Sequence, residues 1–139
     1  MIKKLIIYSD GGARGNPGPA AIGAVIYDSS MNELQRISKR IGSTTNNQAE
    51  YKALLAGLEA ALSFGGEEVT CYLDSELVVK QLLGKYKVRE ESLREPMMLV
   101  LRLKNKFKNA DFVHVKREKN KLADQLVNEA LDEQEANGL

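Results

Sequence analysis

The chain has 139 residues, 43% hydrophobic and 28% charged, with a formal net charge of +1; this is one globular domain's worth of sequence and excludes disordered and fibrous classes. Apolar runs such as Ala20 to Tyr27 fall far short of the ~20 residues of a membrane helix, and the single cysteine, Cys71, excludes an intrachain disulfide framework or a cysteine-based zinc site. Residues 80–121 carry 13 Lys and Arg against 5 Asp and Glu, while the rest carries 7 against 14. That asymmetry fits either a cationic face for a polyanionic partner or solvated lysine-rich helix faces. The start, Met1-Ile2-Lys3-Lys4, lacks a cleavable leader pattern. The expectation is therefore one domain over 1–139, cytoplasmic, monomeric and without membrane contact.

Leu5-Ile6-Ile7-Tyr8 reads as a strand buried on both faces, over Lys4–Ser9, ending at Asp10-Gly11-Gly12 with a turn-rich loop to Pro19. Ala20–Tyr27 and Leu34–Ile41 read as two further strands joined by a hairpin. From Gln48 to Phe64 the period turns helical, with Tyr51, Leu54, Leu55, Leu58, Ala61 and Leu62 on one stripe, and Gly65-Gly66 ends it. Val69–Leu73 is a fourth strand, and Ser75 caps a short helix over Glu76–Leu83. Pro96 opens a helix to about Lys108, Phe112–Val115 is a fifth strand, and Asn120 caps a last helix fraying toward Gly138. The order β-β-β-α-β-α-α-β-α predicts an α/β fold, a mixed sheet with a three-stranded antiparallel meander plus parallel strands, flanked by helices.

Four carboxylates stand out in this frame. Asp10 and Asp74 end the first and fourth strands, where open α/β sheets place their ligands, although each alone also reads as a turn or cap residue. Glu50 shares its face with Ala53, Leu54, Gly57 and Ala61 and so projects toward the sheet; it also has capping-box spacing from Asn47. Asp124 lies one turn into the last helix at the edge of its apolar stripe, a position that also suits an acid at a helix N-terminus. Like charges brought together at such density ionise together only around cations, and oxygen-only ligands favour Mg²⁺ or Mn²⁺ over zinc.

Asp10-Gly11-Gly12 with Gly15-Asn16-Pro17-Gly18, then Thr44-Thr45-Asn46-Asn47-Gln48-Ala49-Glu50, then Leu73-Asp74-Ser75, then Asn120-Lys121-Leu122-Ala123-Asp124, resemble ribonuclease H of type 1 in order and spacing. The resemblance implies a ribonuclease H-like fold, a five-stranded mixed sheet with three central parallel strands. It also implies hydrolysis of the RNA strand of RNA–DNA hybrids, with two metal ions and 5′-phosphate and 3′-hydroxyl products. It makes Asp10 the shared ligand, joined by Asp124 on one ion and by Glu50 and Asp74 on the other.

For the substrate, the resemblance points to the backbone of Gly11, Gly12 and Ala13 approaching a ribose, to Asn16 and Asn46 in the minor groove, and to Thr45 at a DNA-strand phosphate. Asn16 also suits a turn before Pro17, and Asn46 a helix N-cap. Two departures accompany it. The stretch Gly84 to Glu91 is too short for the basic helix that some relatives insert there, so Lys85, Lys87 and the 102–108 segment carry the grip on the hybrid. The loop Lys116-Arg117-Glu118-Lys119-Asn120 lacks the histidine many relatives have; Arg117 and Glu118 are candidate substitutes or plain solvated charges, and the only histidine, His114, reads as a structural strand residue. A non-catalytic hybrid- or RNA-binding module and a metal-dependent nuclease on double-stranded RNA are the alternatives. The four retained carboxylates disfavour the first, and the glycine and asparagine motifs the second.

Overall fold

The computed structural model describes residues 3–136; the expected fraying toward Gly138 lies outside the described residues, as do Met1 and Ile2. Five strands, β1 Lys4–Ala13, β2 Gly18–Asp28, β3 Glu33–Thr44, β4 Glu68–Leu73 and β5 Asn109–His114, form one sheet in the order β3-β2-β1-β4-β5. The β1–β2 and β2–β3 pairs are antiparallel, and β1–β4 and β4–β5 are parallel. The parallel trio therefore fills one half of the sheet, with β1 in the middle and β5 at an edge, rather than its centre. The helices are α1 Asn46–Ser63, α2 Glu76–Leu82, α3 Arg94–Lys104 and α4 Lys121–Ala136. No helix among the described residues is long and apolar enough to cross a membrane.

The main core lies between the sheet and α1, with Leu5, Ile7, Tyr51, Leu54, Leu58, Val69, Cys71 and Leu73 fully or nearly fully buried. A smaller cluster of Ala21, Val127, Ala130 and Leu131 seats α4 on the opposite face, against β2. The edge strand β3 is mostly exposed and carries Arg36, Lys39 and Arg40, charges that discourage pairing with another sheet.

Among the element boundaries that differ from expectation, those of β1 and α3 do so for physical reasons. β1 does not stop at Asp10 but stays paired to β2 through Gly11↔Ile22, Gly12↔Ala21 and Ala13↔Ala20, because the small residues of both strands fit a close ladder that local turn propensity does not foresee. α3 begins at Arg94, not Pro96: the first-turn N–H groups have no intrahelical acceptor, so proline is tolerated there. It ends at Lys104, and Lys108 N–H already donates to Glu67 O at 2.7 Å as the chain enters β5.

Two glycines let helices touch the sheet. A Cβ at Gly11 would sit 2.2 Å from the Ala49 carbonyl on α1, and one at Gly23, on β2, 2.3 Å from the Ala123 carbonyl oxygen on α4. Gly23 is the register partner of Asp10. Gly23→Ala is expected to lift α4 and destabilise the fold by about 1–3 kcal/mol, the usual cost of overpacking, read as a lower urea midpoint with an unchanged m-value; an unchanged midpoint would show that α4 yields freely.

Candidate active site

The pairing of β1 with β4 ends at Ser9↔Leu73, while β1 continues along β2. The strands part there, and Asp10 and Asp74 stand on either side of the split. This is the crevice at the carboxyl ends of strands where sheets of this type bind ligands. Gly11 then admits α1 so closely that Glu50 Oε1 accepts from the Gly11 N–H at 3.0 Å. Gly23 does the same for α4 on the other face, where Asp124 follows directly on Ala123.

One carboxylate oxygen from each of Asp10, Glu50 and Asp74 lies within 4.8 Å of the others. Asp10 and Glu50 are buried, and Glu50 Oε2 has no hydrogen-bond partner. Asp124 stands at the rim, its side chain 30% exposed, facing Arg117 Nη2 at 3.3 Å and Asn128 Nδ2 at 3.4 Å. All four carboxylates line one cleft of about 470 Å³.

Burial, reinforced by Asp74 and Asp124, pushes the Asp10 carboxyl up to about 7, with the neighbouring Glu50 partly offsetting it. Glu50 is pushed well above the ordinary range, first by burial and then by Asp10, with the Gly11 N–H partly offsetting. Burial also raises Asp74, against a hydrogen bond from Asn120 and the charge of Arg117. An orphaned buried carboxylate oxygen and an all-oxygen donor set fit hard divalent cations.

The capping box forms two residues earlier than expected. Thr45 is the N-cap, its Oγ1 accepting from Gln48 N at 3.2 Å while the Gln48 side chain reaches back to the Thr45 N–H. Asn47 is therefore not the cap, nor is Asn46, and Glu50 is released from capping to face Asp10. Asn46 Oδ1 instead accepts from Ala13 N at 2.8 Å, and Asn16 Oδ1 accepts from Asn46 N at 3.1 Å. Both amide oxygens are thus spent inside the protein, and no described residue accepts from either Nδ2.

Gly11, Gly12, Ala13 and Asn46 line the cleft; Asn16 is tied to its edge through Asn46, and Thr45 caps the helix beneath. Arg117 lines the cleft, whereas Glu118 is exposed and does not. Lys85 lines a separate groove beside α2, together with Tyr86, Lys87 and Arg89. His114 is exposed and is the last residue of β5.

Asn120, expected only as a cap, is 1% exposed and donates from Nδ2 to Ser9 O at 2.9 Å, which fixes the start of α4 to β1 beside Asp10. Arg14, which also lines the cleft, and Asn128 were not singled out by their spacing. The partners of Arg14, Asp132 and Glu135, lie outside any local pattern, whereas Asn128 meets Asp124 at the ordinary i,i+4 helix spacing.

A family model described as reverse transcriptase-like matches residues 8–130. The Ribonuclease HI of Halobacterium salinarum is 44% identical over 126 residues, covering 91% of this chain and 63% of that protein. The solved structure of that organism's RNase H1 superposes with a TM-score of 0.91 at 42% identity, covering 94% of this chain and 98% of that one. The Bifunctional protein Rv2228c of Mycobacterium tuberculosis is 41% identical over 130 residues, 93% of this chain but only 36% of that protein. LC11-RNase H1, isolated from compost and solved in complex with an RNA/DNA hybrid, is 51% identical with a TM-score of 0.88, covering 93% of this chain and 97% of that one.

Because Asp10 holds its proton more tightly folded than unfolded, its contribution favours the folded state at low pH and is lost as pH rises through about 7. In chelator, Asp10→Asn is therefore expected to raise the Tm by several degrees at pH 8, and by much less at pH 5, as followed by circular dichroism. An equal difference at both pH values would show that Asp10 does not ionise against its burial.

Proposed function

The chain belongs to the type 1 ribonuclease H family, and on that premise we propose that it is an endonuclease hydrolysing the RNA strand of RNA–DNA hybrids. The observation that carries this reading is the buried carboxylate cluster of Asp10, Glu50 and Asp74, with one orphaned oxygen and Asp124 at its rim. A relative 51% identical to this chain was solved with a hybrid bound. A module that merely bound nucleic acid would gain by losing these negative charges.

In this reading the four carboxylates would hold two ions, Mg²⁺ or Mn²⁺, Asp10 serving both, Asp124 one of them and Glu50 and Asp74 the other. Ions bound there would supply an activated water for in-line attack and stabilise the leaving 3′ oxygen, leaving 5′-phosphate and 3′-hydroxyl ends. The protein's own groups orient the substrate. Gly11, Gly12 and Ala13 bring backbone to the cleft wall with little or no side chain to keep a ribose away, and a 2′-hydroxyl is the group that separates RNA from DNA. With their oxygens engaged, Asn16 and Asn46 have only Nδ2 donors to offer, which suits the acceptors of base edges in the minor groove. Thr45 retains a hydroxyl proton for a phosphate, and the basic groove of Lys85, Lys87 and Arg89 offers the second strand its counter-charge.

Arg117, facing Asp124 at the cleft edge, is placed to pair with the departing phosphate as a bidentate donor in place of a loop histidine. Glu118, outside the cleft, is not. Strand-labelled hybrid, duplex RNA and duplex DNA incubated with Mg²⁺ should show cleavage of the hybrid's RNA strand alone, stopped by chelator. Asp74→Asn should abolish it with the fold intact, and Arg117→Ala should lower kcat several-fold with KM nearly unchanged. Cleavage retained in Asp74→Asn, or preference for duplex RNA, would overturn the reading.

A further inference from the structure

Two cations line the carboxylate cleft, Arg117 and Arg14. Arg14 directly follows Ala13 at the end of β1, and its guanidinium is occupied at both tips of the fork: Nη2 meets Asp132 Oδ1 at 2.6 Å and Nη1 meets Glu135 Oε1 at 2.7 Å. The three side chains are 34%, 67% and 64% exposed. Ion pairs in such contact with water add little to stability.

Nor does the loop need them. The Arg14 N–H donates to Pro19 O at 2.8 Å, closing the turn, and Asn46 clamps Ala13 and Asn16 from the α1 side. A Cβ at Gly18 would lie 2.2 Å from Arg14 O, so the turn is also tightly packed. The backbone is set, and the guanidinium is left over.

We propose that Arg14 is a substrate-binding residue that takes a backbone phosphate of the strand lying in the cleft, and that Asp132 and Glu135 hold its guanidinium until that phosphate displaces them. The inference rests on the reading that this cleft takes nucleic acid. A guanidinium fork matches a phosphodiester as well as it matches carboxylates, so one set of partners exchanges for the other. The position suits the role, because Arg14 adjoins the residues whose backbone approaches the ribose. The wall of α4 beside it is acidic, so a phosphate there requires a cation. The two carboxylates therefore work against binding: substrate competes with them for Arg14.

That competition separates a phosphate contact from a structural brace, because the two roles give opposite signs. Binding of labelled RNA–DNA hybrid to the full chain is followed by fluorescence anisotropy in chelator at several salt concentrations, beside a cleavage assay of the parent with Mg²⁺. Arg14→Ala is expected to weaken binding and to flatten the slope of log K against log salt by about one. Arg14→Lys should keep the slope and lose part of the affinity.

The double variant Asp132→Asn with Glu135→Gln should tighten binding about threefold, the scale of releasing exposed ion pairs, and should do so only when Arg14 is present. Glu133→Gln, which removes a charge from the same helix, controls for the general field. Weaker or unchanged binding in the double variant, or tightening that persists in Arg14→Ala, overturns the proposal. A parent that cleaves the hybrid while Arg14→Ala binds normally sinks this inference alone; a parent that binds hybrid through Arg14 but cleaves no RNA sinks the endonuclease reading alone.

Discussion

Everything at the site depends on how closely two helices approach the sheet on its opposite faces. At Gly11 the backbone of α1 occupies the space of a missing side chain, and at Gly23 the backbone of α4 does the same. Because Gly23 is the partner of Asp10 and Gly11 its neighbour, both notches open onto one strand position. Helix–sheet packing through ordinary side chains keeps the axes about 10 Å apart, and at that distance carboxylates on two helices and two strands would not converge. The glycines remove that spacer, and the result is a cluster of acids with less water around it than acids require.

Such a cluster opposes the stability of the fold that creates it. Asp10 and Glu50 are both pushed up by burial before any other influence. The fold tolerates this because the surrounding framework is held elsewhere, by the apolar layer under α1 and by Asn120, whose amide fastens α4 to β1 at Ser9 O. A ligand that binds only the folded chain adds its binding free energy to stability, so cations at this site would offset the strain they are needed to relieve.

The sheet and its helices were largely legible in the sequence because periodicity is local: a continuous apolar run made β1, a helical stripe made α1, and Asp74 and Asp124 fell just past a strand end and in the first turn of a helix. What was not legible depended on partners far away in the chain. Asp10-Gly11-Gly12 reads as a turn until β2 is laid beside it, and then becomes ladder. Asn47 and Glu50 have the spacing of a capping box, yet Thr45 and Gln48 hold it, two residues earlier. Asn120 and Arg14 make their defining contacts across the whole chain, with Ser9 in one case and with Asp132 and Glu135 in the other. No spacing rule encodes such pairs.

The order in which the strands sit in the sheet has a consequence for synthesis. β1, which carries Asp10, is flanked by β2 and by β4, and the last acid lies on α4 beyond β5. A chain emerging from a ribosome can pair β1, β2 and β3 early, but Asp74 joins Asp10 and Glu50 only once β4 has paired with β1, and Asp124 comes last, with α4. Until residue 124 has been made and seated, the growing polypeptide lacks the acid at the rim of the cleft. The fourth carboxylate is thus the last part of the cleft to be put in place, and the long-range topology sets the order in which its walls assemble.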